Sequence, residues 1–422
     1  MQNYQRKNII ITASILTFII VVYVTAVVTA RICSGVSNES IVYITDESQA
    51  EIIQRFSRLE EVYEKVKDEY YLETSDDVLL QGAIDGMLAS LNDQYTFYYT
   101  PEEMQTSNAE HNGLYEGIGI QLTIDAEEKL KISRVFKDSY AYEAGLRKGD
   151  IILSADGNEL KAKNSAELSS AIEFIKGENG TTVQLTIQRN DEVFTTEVMR
   201  GNVAINRVEY EMLDGGIGYI ELYEFFGDAV SGINDALEYM TENNAKGIIF
   251  DLRGNTGGQL DICLDICDLF LPDGVIVYTQ DRSGEQTNYY SDAACCELPL
   301  VVLVNGTTAS ASEIFVGAIQ DYGIGTVVGT KTFGKGIVQT WYSFSDDGAG
   351  MQLTTSEYFT PNGRSLNKTG ITPDETVELS DEYDPYIFET DIENDNQLKR
   401  AYEILLEKIA EKEKHYTDHE RP

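Results

Sequence analysis

Histidine is almost missing from this chain of 422 residues. Three occur, His111, His415 and His419, and none stands at the end of an apolar strand. A Ser-His-Asp arrangement needs an imidazole as its base, so that chemistry is disfavoured. With no HExxH sequence, a zinc hydrolase of that type lacks its ligands. Cysteine is sparse too: Cys33, Cys263, Cys267, Cys295 and Cys296 are odd in number and few for the length, which argues against a disulfide scaffold. The CxxC spacings of thiolate metal sites are absent, so buried small apolar roles are expected of them. Seven prolines against 34 glycines point to many turns rather than a Pro-rich disordered chain. Positive charge is short as well. Thirty-two Lys and Arg face 71 Asp and Glu, a net charge of −39, which argues against a nucleic-acid partner.

Uncharged apolar runs long enough for a membrane are equally rare, but one stands at the front. Asn8–Ala30 carries no charge and follows Arg6 and Lys7. A helix needs about 20 such residues to cross a bilayer. The positive flank predicts a cytoplasmic N-terminus and an extracytoplasmic remainder. A cleaved signal peptide is the rival, with Val28-Thr29-Ala30 as its site. The run exceeds the usual apolar region of about 7–15 residues, so a retained single-pass anchor in the cell membrane is expected.

Periodicity divides the rest. A cytoplasmic N-terminus (1–7), the anchor (8–30) and a polar stalk (31–50) precede a helical segment over 51–112. There Phe56, Leu59, Val62, Tyr63 and Val66 form an amphipathic stripe suited to packing or to a homodimer. Residues 113–200 read as short strands with an Asp-Gly turn and one helix. Over 201–379, strands alternate with helices, which predicts an α/β core with a largely parallel sheet. An acidic tail (380–422) ends the chain, with one helix expected at 396–414.

Chemistry could sit in three places. In LVVLVNGTTASASEIF a buried strand turns into a helix at Ser310. The helix N-terminus favours developing negative charge there, although serine at such a position is commonly just a cap. In GTKTFGKGIVQT, Lys335 lies between two glycines that let the backbone pack closely around it. A lysine can replace histidine as base if its pKa falls by roughly 3 units from about 10.4. A solvated turn lysine is the plain alternative. In KGIIFDLRGNTGGQL, a strand ends in a Gly-rich loop whose N–H groups suit an anion, either a phosphate or an oxyanion; the P-loop GK[ST] is missing.

The blocks DLRGNTGG, VLVNGTTASASEI, GTKTFGKGIVQT and LTTSEYFTPNGRSLNKTGITPD occur in that order, and together they resemble the signature blocks of the carboxyl-terminal processing peptidases. EGIGIQL with AYEAGLRKGDIILSADG resembles that family's PDZ domain, and GAIDGMLASLNDQYTFYYTPEEM its N-terminal stretch. The resemblance implies a serine endopeptidase acting near protein C-termini through an acyl-enzyme, without cofactor or metal. It implies Ser310 as nucleophile, Lys335 as base and Gln339 as the group orienting the lysine. Oxyanion donors would be Ala311 N–H with that of Gly257 or Gly258, and Glu313 would support the site. Asp251, Arg253, Arg364 and Ser365 would be structural. In the PDZ unit, Gly117, Ile118, Gly119 and Ile120 would hold a substrate's C-terminal carboxylate, and Lys176 would sense the bound peptide. Protein substrates with accessible apolar C-termini follow as partners. A non-enzymatic PDZ scaffold or ligand binder on the same fold is the alternative, as is an anion-binding module built on Gly254–Gly258.

Overall fold

The computed structural model describes residues 47–419, apart from 112–113, 125–127, 164, 293–294, 346 and 381–389. The expected anchor at 8–30 and most of the stalk lie outside the described residues. Among the described residues, no helix is long and apolar enough to cross a membrane. The chain divides into two units, Met1–Ala83 and Ile84–Pro422. In the first, helix α1 (Glu47–Glu69) carries the amphipathic stripe, and Phe56, Leu59 and Val62 are exposed. Helix α2 (Asp76–Ala89) begins after Ser75, whose hydroxyl accepts from Val78 N–H as an N-cap does.

The second unit continues with strand β1 (Phe97–Tyr99) and α3 (Pro101–His111). A small β-rich body follows: β2 (Leu114–Gly117), β3 (Ile120–Ile124), β4 (Leu130–Val135), the short α4 (Tyr140–Glu143), β5 (Ile151–Ala155), β6 (Asn158–Glu159), α5 (Ser165–Lys176), β7 (Thr182–Arg189), β8 (Glu192–Met199) and β9 (Gly201–Ala204). Strands β3-β4-β5-β7-β8 form one antiparallel sheet with β3 at its edge, and β2 pairs with β9 where the chain enters and leaves. Alternation places Val183, Leu185 and Ile187 of β7 in a core with Ile118, Ile132 and Ile152. The β7–β8 turn uses Asn190 at a positive φ of 52°, which asparagine tolerates. Arg200 closes the C-terminal end of α5 by donating to the carbonyls of Phe174 and Ile175.

The remaining elements are β10 (Val208–Leu213), β11 (Ile217–Leu222), α6 (Ala229–Glu242), β12 (Gly247–Asp251), α7 (Leu260–Asp268), β13 (Gly274–Asp281), β14 (Gln286–Ser291), β15 (Leu300–Val304), α8 (Ala311–Tyr322), β16 (Gly325–Gly329), β17 (Ile337–Ser343), β18 (Gly350–Phe359), β19 (Glu375–Thr376) and α9 (Asn396–His419). A six-stranded sheet runs β10-β11-β12-β15-β16-β19. Its first pair is antiparallel and the other four are parallel. Strands β12 and β15 are wholly buried, as strands covered on both faces must be. Along β12, Ile248 and Phe250 face α6, α7 and α8, while Ile249 faces α9.

Two features depart from the expectation. Parallel pairing is confined to that one sheet, because the other sheets are antiparallel. The alternation over 201–379 leaves out the β13–β14 hairpin and the β17–β18 pair, which form a second core sheet with β1. Short turns join these strands, and a short turn brings its flanking strands back antiparallel. The second departure is the place of α9. The helix expected at 396–414 is present in the segment read as a tail beyond the core, yet its Leu398, Ala401, Leu405 and Ile409 form the second apolar layer of the central sheet with Ile249, Val301 and Leu303. Leu405→Ala should therefore cost about 2–5 kcal/mol in a denaturant melt, as a buried truncation does, whereas Glu411→Ala on the exposed side of the helix should change little.

Candidate active site

Parallel strands deliver their C-terminal ends to one edge of a sheet, where loops converge. Here β12 runs into the Gly-rich loop 252–259, β15 into the turn 305–310, and β16 into the segment 330–336 that holds Lys335.

The first two loops are bound to each other by side chains that replace missing backbone partners. Asn305 Oδ1 accepts from Thr307 N–H at 3.1 Å and from Gly254 N–H at 3.1 Å. Thr308 Oγ1 donates to Leu252 O at 2.8 Å, and Ala309 N–H to Asn255 O at 3.1 Å. Asn255 is fully buried. Its amide donates to Leu222 O at 2.7 Å and its Oδ1 accepts Gly257 N–H at 2.8 Å. A β-carbon on Gly257, which sits at φ 104°, would lie 2.8 Å from Ala309 O and from Ser310 Cβ. The Gly-rich loop and the serine turn are thus in van der Waals contact. Phe225 flanks the loop on its other side, donating to Gly257 O at 2.9 Å and accepting from Gln259 N–H at 2.8 Å.

Ser310 stands ahead of α8 at φ 56° and ψ −119°. That conformation is rare for a residue with a β-carbon and costs about 1–3 kcal/mol unless the surroundings impose it. What imposes it is Glu313, one turn into the helix and fully buried. Its Oε2 accepts Ser310 N–H at 3.0 Å and Lys335 N–H at 2.8 Å; its Oε1 accepts Gly334 N–H at 2.8 Å and Thr332 Oγ1–H at 2.6 Å. One carboxylate therefore ties the serine turn to the lysine loop. Tyr358 makes the matching link with a donor: its buried hydroxyl bonds Ser310 O at 3.0 Å and also Lys335 O. Burial, then the nearby Glu313 charge, push the Tyr358 phenol well above its ordinary range, which keeps it a donor.

The Lys335 amine is half-buried, 4.4 Å from the centroid of the Tyr95 ring. Burial pushes this amine down from its ordinary value, and the Asp93 carboxylate partly opposes the shift. Gln339 lies beyond a bulge on β17 and donates from Nε2 to Thr354 Oγ1 at 3.2 Å. The structure thus brings Ser310, Ala311, Glu313, Gly257 and Lys335 to one sheet edge, with Gln339 linked to the strand beside it.

The residues foreseen in the smaller body form a separate group. Gly119 has φ 90°, and a β-carbon there would fall 2.2 Å from Ser139 Cβ, so only glycine fits. Ile118 O accepts from Ala141 N–H and Gly119 O from Phe136 N–H, while Ile118 and Ile120 are buried. Gly117 lies against the Tyr115 ring, and the Lys176 amine is 5.6 Å from that ring's centroid. Arg253 pairs with Asp251 at 2.7 Å and reaches Asp395 at 2.7 Å, which ties the loop after β12 to the start of α9. Arg364 bonds Gln320 Oε1 and Gly317 O, bracing α8.

Sequence reasoning missed Asn255, Tyr358, Asp93, Tyr95 and Thr354. All lie inside blocks that carry the resemblance. The contacts that bring them to the site, from Asn255 to Leu222 O, from Tyr358 to Ser310 O, from Tyr95 to Lys335 and from Thr354 to Thr96, are remote along the chain, however, so no local pattern marks them. Glu313→Ala would leave four buried donors without an acceptor. It should destabilise the protein by roughly 3 kcal/mol in chemical unfolding, and Glu313→Gln, which keeps one acceptor oxygen, by less.

Comparison with known proteins agrees with this geometry. Residues 216–377 match the model for peptidase family S41, residues 117–199 the PDZ domain, and residues 15–103 the N-terminal domain of the activating protease CtpB. The carboxy-terminal-processing protease of Bartonella bacilliformis is 34% identical over 355 residues, covering 81% of this chain and 80% of that one. Carboxy-terminal processing protease CtpA of Bacillus subtilis is 32% identical over 364 residues, covering 86% and 77%. Among solved structures, the photosystem II D1 C-terminal processing protease aligns with a TM-score of 0.53 at 28% identity, over 80% of this chain and 89% of that one. A strand-to-helix serine, a lysine loop stapled to it, and relatives this similar over most of their length place the chain in the carboxy-terminal-processing protease family, as a serine peptidase of family S41 with a PDZ domain.

Proposed function

We propose that Ser310 is the nucleophile and Lys335 its general base, with Gln339 orienting the lysine. The observation that carries this reading is the Glu313 carboxylate, which accepts the N–H groups of both Ser310 and Lys335. Such a shared acceptor holds the two residues in one frame. The neutral amine takes the Ser310 Oγ proton as the oxygen attacks a peptide carbonyl. The resulting oxyanion rests on the N–H groups of Ala311 and Gly258. Gly257 N–H is less suited, because it already donates to Asn255 Oδ1. Collapse breaks the C–N bond, and the Lys335 ammonium returns its proton to the departing amine. Water then attacks the acyl-enzyme, again giving its proton to Lys335; the C–Oγ bond breaks, the Lys335 ammonium passes that proton to Ser310 Oγ, and the peptide acid leaves.

The PDZ domain is the gate in this reading. It binds a substrate's apolar C-terminus by strand addition to the edge strand β3, with the carboxylate at Gly117–Ile120. Lys176 stands near that loop as the sensor. A contact that supports coupling lies at Arg134 of β4, whose guanidinium is 3.3 Å from the Tyr223 ring centroid and 3.6 Å from Glu209. Tyr223 lies between Leu222 and Phe225, the two residues whose backbones hold the Gly-rich loop. The charge-free run Asn8–Ala30 would anchor the enzyme in the cell membrane with its catalytic region outside the cytoplasm. Substrates would then be extracytoplasmic or membrane-associated proteins. The exposed stripe of α1 fits a homodimer.

Ser310→Ala and Lys335→Ala should each lower kcat on a C-terminally apolar peptide by roughly a thousandfold or more, and wild-type turnover in either would sink the assignment. Since the base must be uncharged, kcat/KM should rise with pH, with its midpoint below that of a free lysine at about 10.4. Amidating the peptide's C-terminus should reduce kcat/KM, and Arg134→Ala should shrink that difference between free and amidated peptides.

A further inference from the structure

The turn Asn92–Thr96, between α2 and β1, lies some 240 residues before Lys335 in the chain, yet it lies at the lysine. Its organising residue is Asp93. Asp93 Oδ1 accepts Tyr95 N–H at 3.0 Å and Oδ2 accepts Thr96 Oγ1–H at 2.7 Å. Thr96 Oγ1 in turn accepts Thr354 N–H at 3.1 Å, which fastens the turn to β18. The Thr354 side chain faces Asp93 and helps to hold its acid low, and the Thr354 hydroxyl oxygen accepts Gln339 Nε2–H at 3.2 Å.

The order of donors along this chain is not arbitrary. An ionised carboxylate can only accept, so Asp93 commits the single Thr354 hydroxyl proton to itself. Thr354 can then offer Gln339 only a lone pair. Gln339 must meet it with its NH₂ end, and its carbonyl oxygen is left pointing the other way, as the acceptor that a lysine N–H requires. From the same turn, the Tyr95 ring covers the Lys335 amine, screening it from water while its π-face favours an N–H edge. We propose that Asp93, acting through Thr354 and Gln339, and Tyr95, acting on the amine directly, are positioning residues that fix the place and surroundings of Lys335 Nζ. The proposal rests on Lys335 being the general base.

Among the described residues, three elements bring polar groups to Lys335. Asp93 and Tyr95 come from the turn after α2, Glu313 from α8 holds the Lys335 N–H, and Tyr358 from β18 bonds its carbonyl. Of these, Asp93 carries the charge that acts on the amine, and it favours the ammonium. Burial by itself would raise the Asp93 carboxyl. The bonds from Thr354, Thr96 and Tyr95 N–H, with the Lys335 charge, outweigh it and hold the acid below its ordinary range. Asp93 is therefore ionised wherever Lys335 can work.

The test is the pH dependence of kcat/KM on a peptide that does not titrate in the working range. Asp93→Asn should move the acid limb to lower pH, because the ammonium loses its counter-charge. It should also lower the plateau about tenfold, because an amide no longer dictates the direction of the Thr354 proton. Thr354→Val should lower the plateau by a similar factor, and Thr354→Ser should restore it. Tyr95→Leu should raise the acid limb by letting water reach the amine. In the Asp93→Asn/Thr354→Val double variant the plateau losses should not multiply, since both break one relay. An unmoved limb with a wild-type plateau in Asp93→Asn overturns the proposal, as do multiplying losses in the double variant. Lys335→Ala separates the two levels. If it is inactive while Asp93→Asn behaves as wild type, only the positioning role fails; if Lys335→Ala itself retains turnover, the base assignment fails and the positioning role with it.

Discussion

A single buried carboxylate holds the site together. Glu313 sits on the first turn of α8 and accepts four hydrogen bonds, two of them from the backbones of Ser310 and Lys335. A carboxylate removed from water is costly unless every lone pair is occupied, and here the N–H groups of two loops occupy them. The energetic need of the buried charge thus dictates where both loops go. Tyr358 completes the arrangement from the opposite polarity, offering its hydroxyl to the carbonyls of the same two residues. The strained Ser310 backbone persists because it is caught between these groups.

Around this pair the architecture divides its tasks. The parallel sheet supplies rigid strands whose ends converge, and helices on both faces make those strands immobile. The antiparallel sheet supplies β17 and β18, which carry Gln339, Thr354 and Tyr358. The turn at Asp93 joins β18 through Thr96 and Thr354, so the segment after α2 belongs to the catalytic body. Arg134 of the PDZ domain stacks on Tyr223, which lies between the two residues, Leu222 and Phe225, whose backbones bond the Gly-rich loop. The Gly-rich loop and the Lys335 loop are accordingly supported from different directions, while Glu313 and Tyr358 tie the serine turn to the lysine loop.

How much of this was legible depended on range along the chain. The wholly apolar runs of β12 and β15 announced buried strands, and the strand-to-helix steps after them announced loops at one sheet edge. The positions of Ser310 and Lys335 were readable from the ordered blocks. Lys335 read alone was an ordinary turn lysine, and Ser310 an ordinary cap. Its positive φ could not be seen, because it results from bonds to a loop over 20 residues away. Asn255 looked like one polar residue in a glycine loop, and only its burial against Leu222 O reveals its place. Asp93 and Thr354 meet across about 260 residues, beyond any periodic signal. The helix of α9 was legible but its place against the central sheet was not, because acidic composition masks the one apolar face that the helix buries.

The bonds that shape the site run almost entirely to main-chain atoms at 310, 334 and 335. At 310 and 335 these bonds leave the side chains themselves uninvolved. If Ser310 and Lys335 act as proposed, replacing either side chain would end the reaction and leave the bonds that hold this frame standing, so the fold would lie one substitution from a protein that binds peptides without cleaving them.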